Sequence, residues 1–587
     1  MKYLKSAFVM LLAACATIDV SAYGDIDERV REYLSPVRIM WVDCPDMIRN
    51  QEYLLRQGNG QADLTNSHIC VMKSTENEHP AILLDFGKEL HGGLQIVTGM
   101  PSSHDPVRIR VRFGESASEA MCEIDGSNGA SNDHAVRDFE VSVPWLGVKE
   151  VGNSGYRFVR IDLIDDNAVL HLKEVRAVSV YRDIPYRGQF RCSDDRLNKI
   201  WEVGARTVHL CMQDYLWDGI KRDRLVWMGD MHPEVMTISN VFGYNDIVPA
   251  SLDLAKDITP LPCWMNGMYT YSLWWVIVQR DWYMFHADYE YLERQRDYLK
   301  GLMEILLGQV DENGYEKSGG GFLDWPSNAN APAMRAGTQA LMMMTMKAGA
   351  ELCGYLGEDD LKDRCLECHR RMSEVADKVC SDYLNEAKAP VEPGSKQAAA
   401  LMVLAGMMDP QMANESVLKT GGARGFSTFY GYYMLRAMAQ AGDYEGAMDT
   451  IRTFWGAMLD LGATSFWEDF NIDWLNEDVA PVDELVPEGK KDIHGDFGAY
   501  CYVGFRHSLC HGWASGPTAW MSENVLGVKI LEPGYRKVRI EPQLGGLEWA
   551  EGTVPTPFGE IQVSHRKSED GRIVSKVKVP KGVKVVR

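Results

Sequence analysis

The sequence predicts a multidomain protein: an N-terminal β-sandwich, a central all-α (α/α)6 toroid and a small C-terminal β-sandwich domain. The 587 residues exceed what one hydrophobic core usually organises, which indicates several domains. Alternating apolar and polar residues, typical of half-buried strands, mark the beginning and the end of the chain. Between them apolar residues recur at helical spacing. The irregular intervals between the helix pairs favour a closed ring over a short-period solenoid.

Residues 1–22 have the features of a signal peptide. Lys2 and Lys5 precede a short apolar stretch, and small residues follow it. One cleavage site lies before Cys15, which would then carry a lipid anchor, and the other lies after Ala22. The two sites stay open as alternatives. We expect an exported protein of the periplasm or cell surface, with no membrane span, because no later stretch is apolar enough.

Strand patterns predict that residues 23–187 form the β-sandwich. Apolar and polar residues alternate clearly over 107–113 and again over 156–163. The segment 125–129, Asp-Gly-Ser-Asn-Gly, is a strong turn signal between two strand-rich parts. Antiparallel strands joined by such turns are typical of a sandwich.

Helix pairs are predicted for residues 188–525. An apolar helix ends, an acidic residue follows, and a second amphipathic helix begins, as at Asp288, Glu358 and Asp443. An acidic side chain there caps the free N–H groups of the next helix and suits its dipole. Strand patterns return after residue 526, so residues 526–587 are predicted to be the C-terminal β-domain.

Composition limits the classes of partner. The net charge of −22 argues against nucleic acid and anionic membranes, because both would repel the protein. Cys365 and Cys368 form an isolated pair within a helical pattern, whereas a zinc site needs further ligands at suitable spacing. We therefore read them as buried thiols and predict no metal and no cofactor.

The densest set of charged side chains is the segment 218–230. It contains three carboxylates, three cations and one tryptophan: Asp218, Lys221, Arg222, Asp223, Arg224, Trp227 and Asp230. A carboxylate between two arginines stays ionised, whereas a general acid must hold a proton. The structural alternative is that Asp230 only caps the following helix and that Arg222 and Arg224 only anchor a loop.

Three further segments place polar groups beside aromatic rings. Glu468 follows Trp467, where it is either a positioned base or a solvated side chain. Asp324 precedes Trp325, a pair that suits sugar hydroxyls and sugar faces but equally a capped loop. His511 is either a site residue or a structural hydrogen-bond donor.

These segments, in this order, resemble the α-L-rhamnosidases of glycoside hydrolase family 78. That family carries Asp-Cys-Pro-x-Arg-(Asp)-Glu-Arg-x-Gly-Trp-x-Gly-Asp, which residues 218–230 match in part. Its Gly-Ala-Thr-Thr-x-Trp-Glu segment is similar to residues 462–468, and its Ser-x-Asn-His segment to residues 508–511. The order of the domains is also similar, so the resemblance covers nearly the whole chain.

The resemblance implies an exo-acting, inverting hydrolase that releases terminal α-L-rhamnose from a carbohydrate substrate. Asp223 would be the general acid and Glu468 the general base. Inversion needs two carboxyl groups roughly 6.5–9.5 Å apart, with a water molecule between them. The oligomeric state is not predicted. The implied substrate-binding residues are Asp218, Arg222, Trp227, Asp230, Asp324, Trp325, Trp467 and His511.

One departure from the family concerns the acid. Asp223 stands where the family has glutamate, and its side chain is one methylene shorter. Either the backbone lies closer to the substrate, or another carboxyl such as Glu234 donates the proton, or the leaving group differs. Two alternatives to rhamnosidase activity therefore stay open: hydrolysis of another deoxy or uronic sugar, and non-catalytic glycan binding.

Overall fold

A computed structural model describes residues 27–101, 103–389 and 392–586. The predicted signal peptide and Cys15 lie outside these residues, so both stay predictions. Among the helices of the described part, none combines the length and apolar character that crossing a membrane requires.

The N-terminal domain is built on nine antiparallel strands whose longest members serve both layers of a sandwich. The first half of strand β5 (Ala81–Thr98) pairs with β2 (Arg38–Asp43), and its second half pairs with β9 (Val169–Arg182). A register shift separates the two halves of β5. Ile82 and Ile96, one from each half, pack into the same core. The strands are β1 (Arg29–Leu34), β2 (Arg38–Asp43), β3 (Ile48–Arg49), β4 (Cys70–Lys73), β5 (Ala81–Thr98), β6 (Val107–Gly114), β7 (Asp138–Val143), β8 (Gly147–Leu163) and β9 (Val169–Arg182), with helix α1 (Ala117–Met121) after β6.

Six inner helices of the central domain contact one another in a closed ring within the described residues. In chain order they alternate with outer helices, as an (α/α)6 toroid requires. The inner helices are α3 (Met231–Val241), α5 (Tyr269–His286), α7 (Ala331–Leu356), α10 (Ser395–Leu404), α12 (Gly431–Gln440) and α14 (Gly516–Asn524). The helices outside this ring are α2 (Asp195–Cys211), α4 (Ile247–Asp257), α6 (Tyr289–Leu307), α8 (Asp359–Glu374), α9 (Ala376–Glu386), α11 (Pro410–Ala413) and α13 (Tyr444–Asp460).

Residue patterns account for which helices lie inside. Every residue of α3 is buried, as expected of a helix surrounded by others. Helix α8 buries only Leu361, Cys365, Cys368 and Met372, a stripe at intervals of three and four residues. Cys365 and Cys368 are therefore buried thiols of an amphipathic outer helix, as predicted.

Capping was predicted at three helix starts and is seen at two. The Asp288 carboxylate accepts a hydrogen bond from the Tyr291 N–H, and Asp443 does the same for Gly446. Glu358 makes no capping bond. Its longer side chain pairs with Arg296 at 2.6 Å instead.

The C-terminal domain contains a four-stranded sheet and a three-stranded sheet. Strand β10 (Gln189–Cys192) lies before helix α2 in the sequence but pairs with β15 (Trp549–Thr556). The C-terminal domain is therefore joined to the start of the helical region. The strands are β10 (Gln189–Cys192), β13 (Val528–Glu532), β14 (Lys537–Ile540), β15 (Trp549–Thr556), β16 (Gly559–Lys567), β17 (Ile573–Lys578) and β18 (Lys584–Val586); the two-residue strands β11 (Val479–Ala480) and β12 (Lys491–Asp492) pair within the helical region.

Candidate active site

The candidate residues lie at one end of the helical ring. Asp230 directly precedes inner helix α3, Asp324 lies just before α7, and Ser427 before α12. Glu468 and His511 lie in the long connection that leads to α14. Because connections from outer to inner helices emerge at the same end of such a ring, these side chains meet there. The positive N-terminal ends of the inner helices favour carboxylates at this position.

A closed loop holds Asp223. The Asp218 N–H donates to the Leu225 carbonyl at 3.0 Å, and the Leu225 N–H donates to Asp218 Oδ1 at 2.9 Å. Asp223 and Arg224 within this loop have positive φ angles of 44° and 59°. Such backbone costs about 1–3 kcal/mol per residue and persists where surrounding contacts impose it. Arg224 points away from Asp223 and donates to the Asn153 carbonyl at 3.1 Å, so it anchors the loop.

The Asp223 carboxyl group receives three contacts. Arg222 Nε lies 3.2 Å from Oδ1, and Trp227 Nε1 lies 3.2 Å from Oδ2. His134 of the N-terminal domain places Nε2 3.4 Å from Oδ1. One arginine, not two, binds this carboxyl, and a histidine that the sequence did not indicate takes part.

Glu468 is buried and held in place. Its side chain is 3% exposed, so the solvated alternative is wrong. Oε2 accepts a hydrogen bond from the Ser508 N–H at 3.2 Å, and Oε1 lies 3.6 Å from His511 Nδ1. The Glu468 carbonyl accepts hydrogen bonds from Trp513 Nε1 and from the Thr428 hydroxyl. These contacts fix both the backbone and the carboxylate.

His511 links Glu468 to Asp230. Its Nε2 donates to Asp230 Oδ2 at 3.0 Å, and the Tyr271 hydroxyl donates to Asp230 Oδ1 at 3.0 Å. Burial alone would lower the pKa of His511, but the Glu468 and Asp230 carboxylates raise it to about 9. Asp230 makes no capping bond to helix α3, so the capping alternative is wrong.

Arg222 is close enough to both candidate catalytic carboxyl groups for their charges to act on it. Burial would lower the pKa of its guanidinium, but Glu468 and Asp223 hold that pKa above its ordinary value. The Arg222 guanidinium also lies 5.2 Å from the centre of the Tyr502 ring. The charges of Glu468 and Asp223 therefore both stabilise the same cation, the Arg222 guanidinium.

Asp324 caps a short helix, as one of the two interpretations from the sequence requires, and sugar binding by Asp324 stays a prediction. Its Oδ1 accepts from the Trp325 N–H and so caps a short 3-10 helix. Its Oδ2 accepts hydrogen bonds from Ser427 and from Gln397. Burial raises the pKa of Asp324 to about 6, although these donors oppose the shift.

Aromatic rings lie around the carboxyl groups. Trp325 stacks on Tyr500 with 5.8 Å between ring centres, and its Nε1 donates to the Tyr502 hydroxyl at 2.5 Å. Trp227 meets Tyr271 edge to face at 6.1 Å. Tyr500 is 46% exposed, so part of this aromatic surface is open to solvent.

Trp467, which directly precedes Glu468, is buried among aromatic rings. Its ring is 1% exposed and packs edge to face against Phe470 and His507. A role in sugar binding for Trp467 stays a prediction.

Comparison with known proteins identifies the family. The model of the bacterial alpha-L-rhamnosidase 6-hairpin glycosidase domain matches residues 185–525, more than half of the chain. The chain belongs to this family. The model of the bacterial alpha-L-rhamnosidase C-terminal domain matches residues 527–586. The resemblance stated from the sequence motifs is thus confirmed.

Individual relatives of this rhamnosidase family are distant in sequence. A curated alpha-L-rhamnosidase of Alteromonas sp. (strain LOR) is 25% identical in an alignment of 548 residues. The match covers 85% of this chain and 55% of that protein. The GH78 rhamnosidase of Bacillus sp. GL1 is 21% identical, with a TM-score of 0.72 over 92% of this chain and 55% of that chain. The chain therefore spans about half the length of these relatives.

A shorter relative shares the same fold. The rhamnosidase from Klebsiella oxytoca, whose structure has rhamnose bound, has a TM-score of 0.64 and 18% identity. The match covers 85% of this chain and 96% of that chain. The predicted order of β-sandwich, helical ring and C-terminal β-domain is confirmed.

A buried ion cluster joins the N-terminal domain to the site of this rhamnosidase-family chain. Lys221 Nζ lies 3.0 Å from Glu115 Oε2 and 3.1 Å from Glu119 Oε1. Glu115 also accepts hydrogen bonds from the Leu509 N–H at 2.6 Å and from the Ser508 hydroxyl at 3.2 Å. Lys221 thus connects the N-terminal domain to the loop that binds Glu468.

The same cluster has the spacing of a metal site. Ligand atoms of Glu115, Glu119 and His494 lie within 4.8 Å of one another. The Lys221 ammonium already contacts both glutamates, and Arg137 Nε lies 3.7 Å from Glu119 Oε1, so the protein itself supplies the opposing charges. No cofactor role follows from this geometry.

Sequence reasoning missed Asp469. One of its carboxyl oxygens, Oδ2, is buried without a hydrogen-bond partner. Burial, together with the Asp324 and Glu468 carboxylates, raises the pKa of Asp469 to about 7. Asp469 directly follows Glu468 in the sequence, and this position could have indicated that it belongs to the site.

Proposed function

We propose that this protein is an exo-acting glycoside hydrolase that releases terminal α-L-rhamnose with inversion at the anomeric carbon. Membership of the rhamnosidase family supports the substrate class. The observation that carries the proposal is the buried Glu468 carboxylate, which Ser508 and His511 hold in place at the end of the ring that also bears Asp223. A fixed carboxylate and a second carboxyl in one site, with the Arg222 cation near both, suit acid–base hydrolysis.

Glu468 takes the role of general base. It accepts a proton from water while that water attacks the anomeric carbon. The neighbouring cations Arg222 and His511 offset the cost of burying its charge. On the other side of the bond, the Asp223 carboxyl delivers a proton to the glycosidic oxygen, which leaves as an alcohol.

The remaining site residues bind the sugar in this proposal. Asp218, Asp230 and Asp324 accept hydrogen bonds from sugar hydroxyls. Trp227 and Trp325 present aromatic faces against which the apolar face of a 6-deoxy sugar packs. A 6-deoxyhexose has a methyl group in place of a hydroxymethyl group, so apolar contact is expected to contribute to selection.

The proposal is tested by hydrolysis of p-nitrophenyl α-L-rhamnopyranoside beside a panel of other p-nitrophenyl glycosides. Wild type, Asp223→Asn and Glu468→Gln are compared, with Asp360→Asn on an exposed helix as the control. We expect the rhamnoside to be cleaved and each active-site variant to lose about 10²- to 10⁴-fold in kcat. Proton NMR of the first product formed should show the inverted anomer.

Other outcomes would redirect the assignment. Cleavage of a different glycoside with loss in both variants would change the sugar and keep the mechanism. Activity on an alkyl rhamnoside that survives Asp223→Asn would move the acid role, and Glu234→Gln is then the variant to measure. Both Glu234 carboxyl oxygens are buried without a hydrogen-bond partner, and burial raises its pKa well above the ordinary value. Binding without hydrolysis would support a glycan-binding protein.

A further inference from the structure

The N-terminal β-domain contributes a side chain to the candidate acid. We propose that His134 and Asp223 together form the proton donor of the active site, so that two domains supply the acid function. This inference rests on the proposed hydrolase function. It begins from the 3.4 Å contact between His134 Nε2 and Asp223 Oδ1.

The loop that bears His134 is anchored to the helical domain at two points before His134. The Phe505 N–H donates to the Asn128 carbonyl at 2.9 Å. Asp133 Oδ2 forms an ion pair with Arg506 at 2.6 Å. The Arg506 carbonyl in turn accepts from Arg222 Nη1 at 3.4 Å. These contacts hold the loop against the segment that carries the acid.

The chemistry of the groups around Asp223 singles out the histidine. Arg222 donates permanently, because guanidinium does not lose its proton in proteins. The Trp227 indole is a donor only. Imidazole alone among the three can give and take a proton near neutral pH. A proton held at the Asp223 carboxyl can therefore be shared with His134 but not with the other two contacts.

Carboxylates and cations both surround His134. Its Nε2 lies 3.6 Å from Asp133 Oδ2 and 3.4 Å from Asp223 Oδ1. A cavity of about 20 Å³ beside it is also lined by Glu119 and by the cations Arg137, Lys221, Arg222 and Arg506. The His134 side chain is 28% exposed, so it can recover a proton from solvent.

The pair begins with one proton shared between His134 Nε2 and the Asp223 carboxyl. That proton passes to the glycosidic oxygen as the bond from this oxygen to the anomeric carbon breaks. Water adds to the carbon, and Glu468 takes its proton. The pair is left as neutral imidazole and carboxylate, the imidazole is protonated again from solvent, and Glu468 releases its proton.

The pair also accounts for an aspartate at the acid position. Arg222 and Trp227 each donate a hydrogen bond to one oxygen of the Asp223 carboxyl group. A short acid held in this way can draw its proton from a neighbouring group that both binds and releases protons. His134 supplies that group from a domain whose sequence shows no motif of the family.

The test compares His134→Gln with wild type on α-L-rhamnosides of different leaving groups. Glutamine can still donate a hydrogen bond to Asp223 but cannot exchange a proton. We expect kcat/KM to fall about 10²-fold or more for an alkyl rhamnoside. For 2,4-dinitrophenyl rhamnoside, whose leaving group needs little protonation, the loss should stay below about 10-fold. The basic limb of the pH profile for kcat/KM should also change.

His79→Gln is the matched control, because His79 forms a similar contact with Asp166 at 3.2 Å elsewhere in the same domain. It should leave both substrates unaffected. Equal losses on both substrates for His134→Gln, with an unchanged pH profile, would reduce His134 to a structural role and overturn the inference. The inference would also be overturned if the wild type were active and His134→Gln had the same kcat/KM as the wild type on both substrates. A wild type inactive on every glycoside would overturn the proposed hydrolase function itself, and the inference with it.

Discussion

His511 shows how one buried side chain depends on its neighbours. It is 2% exposed, yet it lies between the Asp230 and Glu468 carboxylates, which raise its pKa to about 9 against the effect of burial. A histidine in an unfolded chain has a pKa of about 6.5. The folded state therefore binds the proton more tightly than the unfolded state does. Its contribution to stability is complete below pH 6.5 and is lost as the pH rises through about 9.

We predict that the free energy of unfolding falls between pH 6.5 and pH 9.5 by roughly 3 kcal/mol from His511 alone, since one pKa unit corresponds to about 1.4 kcal/mol. Urea unfolding at both pH values measures this decrease. His511→Asn should be less stable at pH 6.5 and should show a smaller decrease. His104→Asn, on the surface of the N-terminal domain, is the control and should follow wild type. A decrease of equal size in wild type and His511→Asn would contradict the assigned ion pairs.

At the scale of elements, the contact between helix α1 of the N-terminal domain and the loop before α3 depends on Lys221. Its ammonium is surrounded by Glu115, Glu119 and the carbonyls of Phe505 and His507. Removing one member of a buried ion cluster leaves the others uncompensated, at a cost of about 3–5 kcal/mol. An exposed pair contributes less than about 1 kcal/mol.

Lys221→Met is therefore expected to lower the free energy of unfolding by about 3–5 kcal/mol. Chemical denaturation measures the change. Lys199→Met is the matched control, because Lys199 and Glu202 form an exposed pair at 3.9 Å on one helix. It should change stability by less than about 0.5 kcal/mol. If both variants lost the same small amount, the cluster would not couple the domains.

At the scale of the whole molecule, the C-terminal β-domain shares its core with the helical ring. Strand β10 enters the C-terminal sheet from the start of the helical region. Tyr535 is 2% exposed and lies edge to face with Phe285 of helix α5 at 5.9 Å. Val554 and Ile561 belong to the same buried cluster as the helices. The two parts should consequently unfold together.

Calorimetry should show one transition for the helical ring and the C-terminal domain. Tyr535→Ala should destabilise that transition by about 3–5 kcal/mol, because it removes a large buried ring between the two parts. Phe558→Ala in the same domain is the control, since Phe558 is 41% exposed, and its effect should be much smaller. A separate, earlier transition of the C-terminal domain would show that the two parts are independent.

The sequence by itself determined the order of the domains and the family. Periodicity is local, so the strands of both β-domains and the stripe of helix α8 were readable from neighbouring residues. The motif residues Asp230, Glu468 and His511 were readable because each belongs to a short motif in a connection from an outer helix to an inner helix. In a ring of alternating helices, that position alone brings them to one end.

Only the tertiary structure decided which partners these residues have. His134 and Asp223 belong to different domains, as do Glu115 and Lys221, and no local pattern relates such pairs. Their contacts depend on how the β-sandwich docks on the ring. The ionisation of His511 was hidden for the same reason: its pKa is set by burial and by carboxylates that folding brings within 4 Å of its ring.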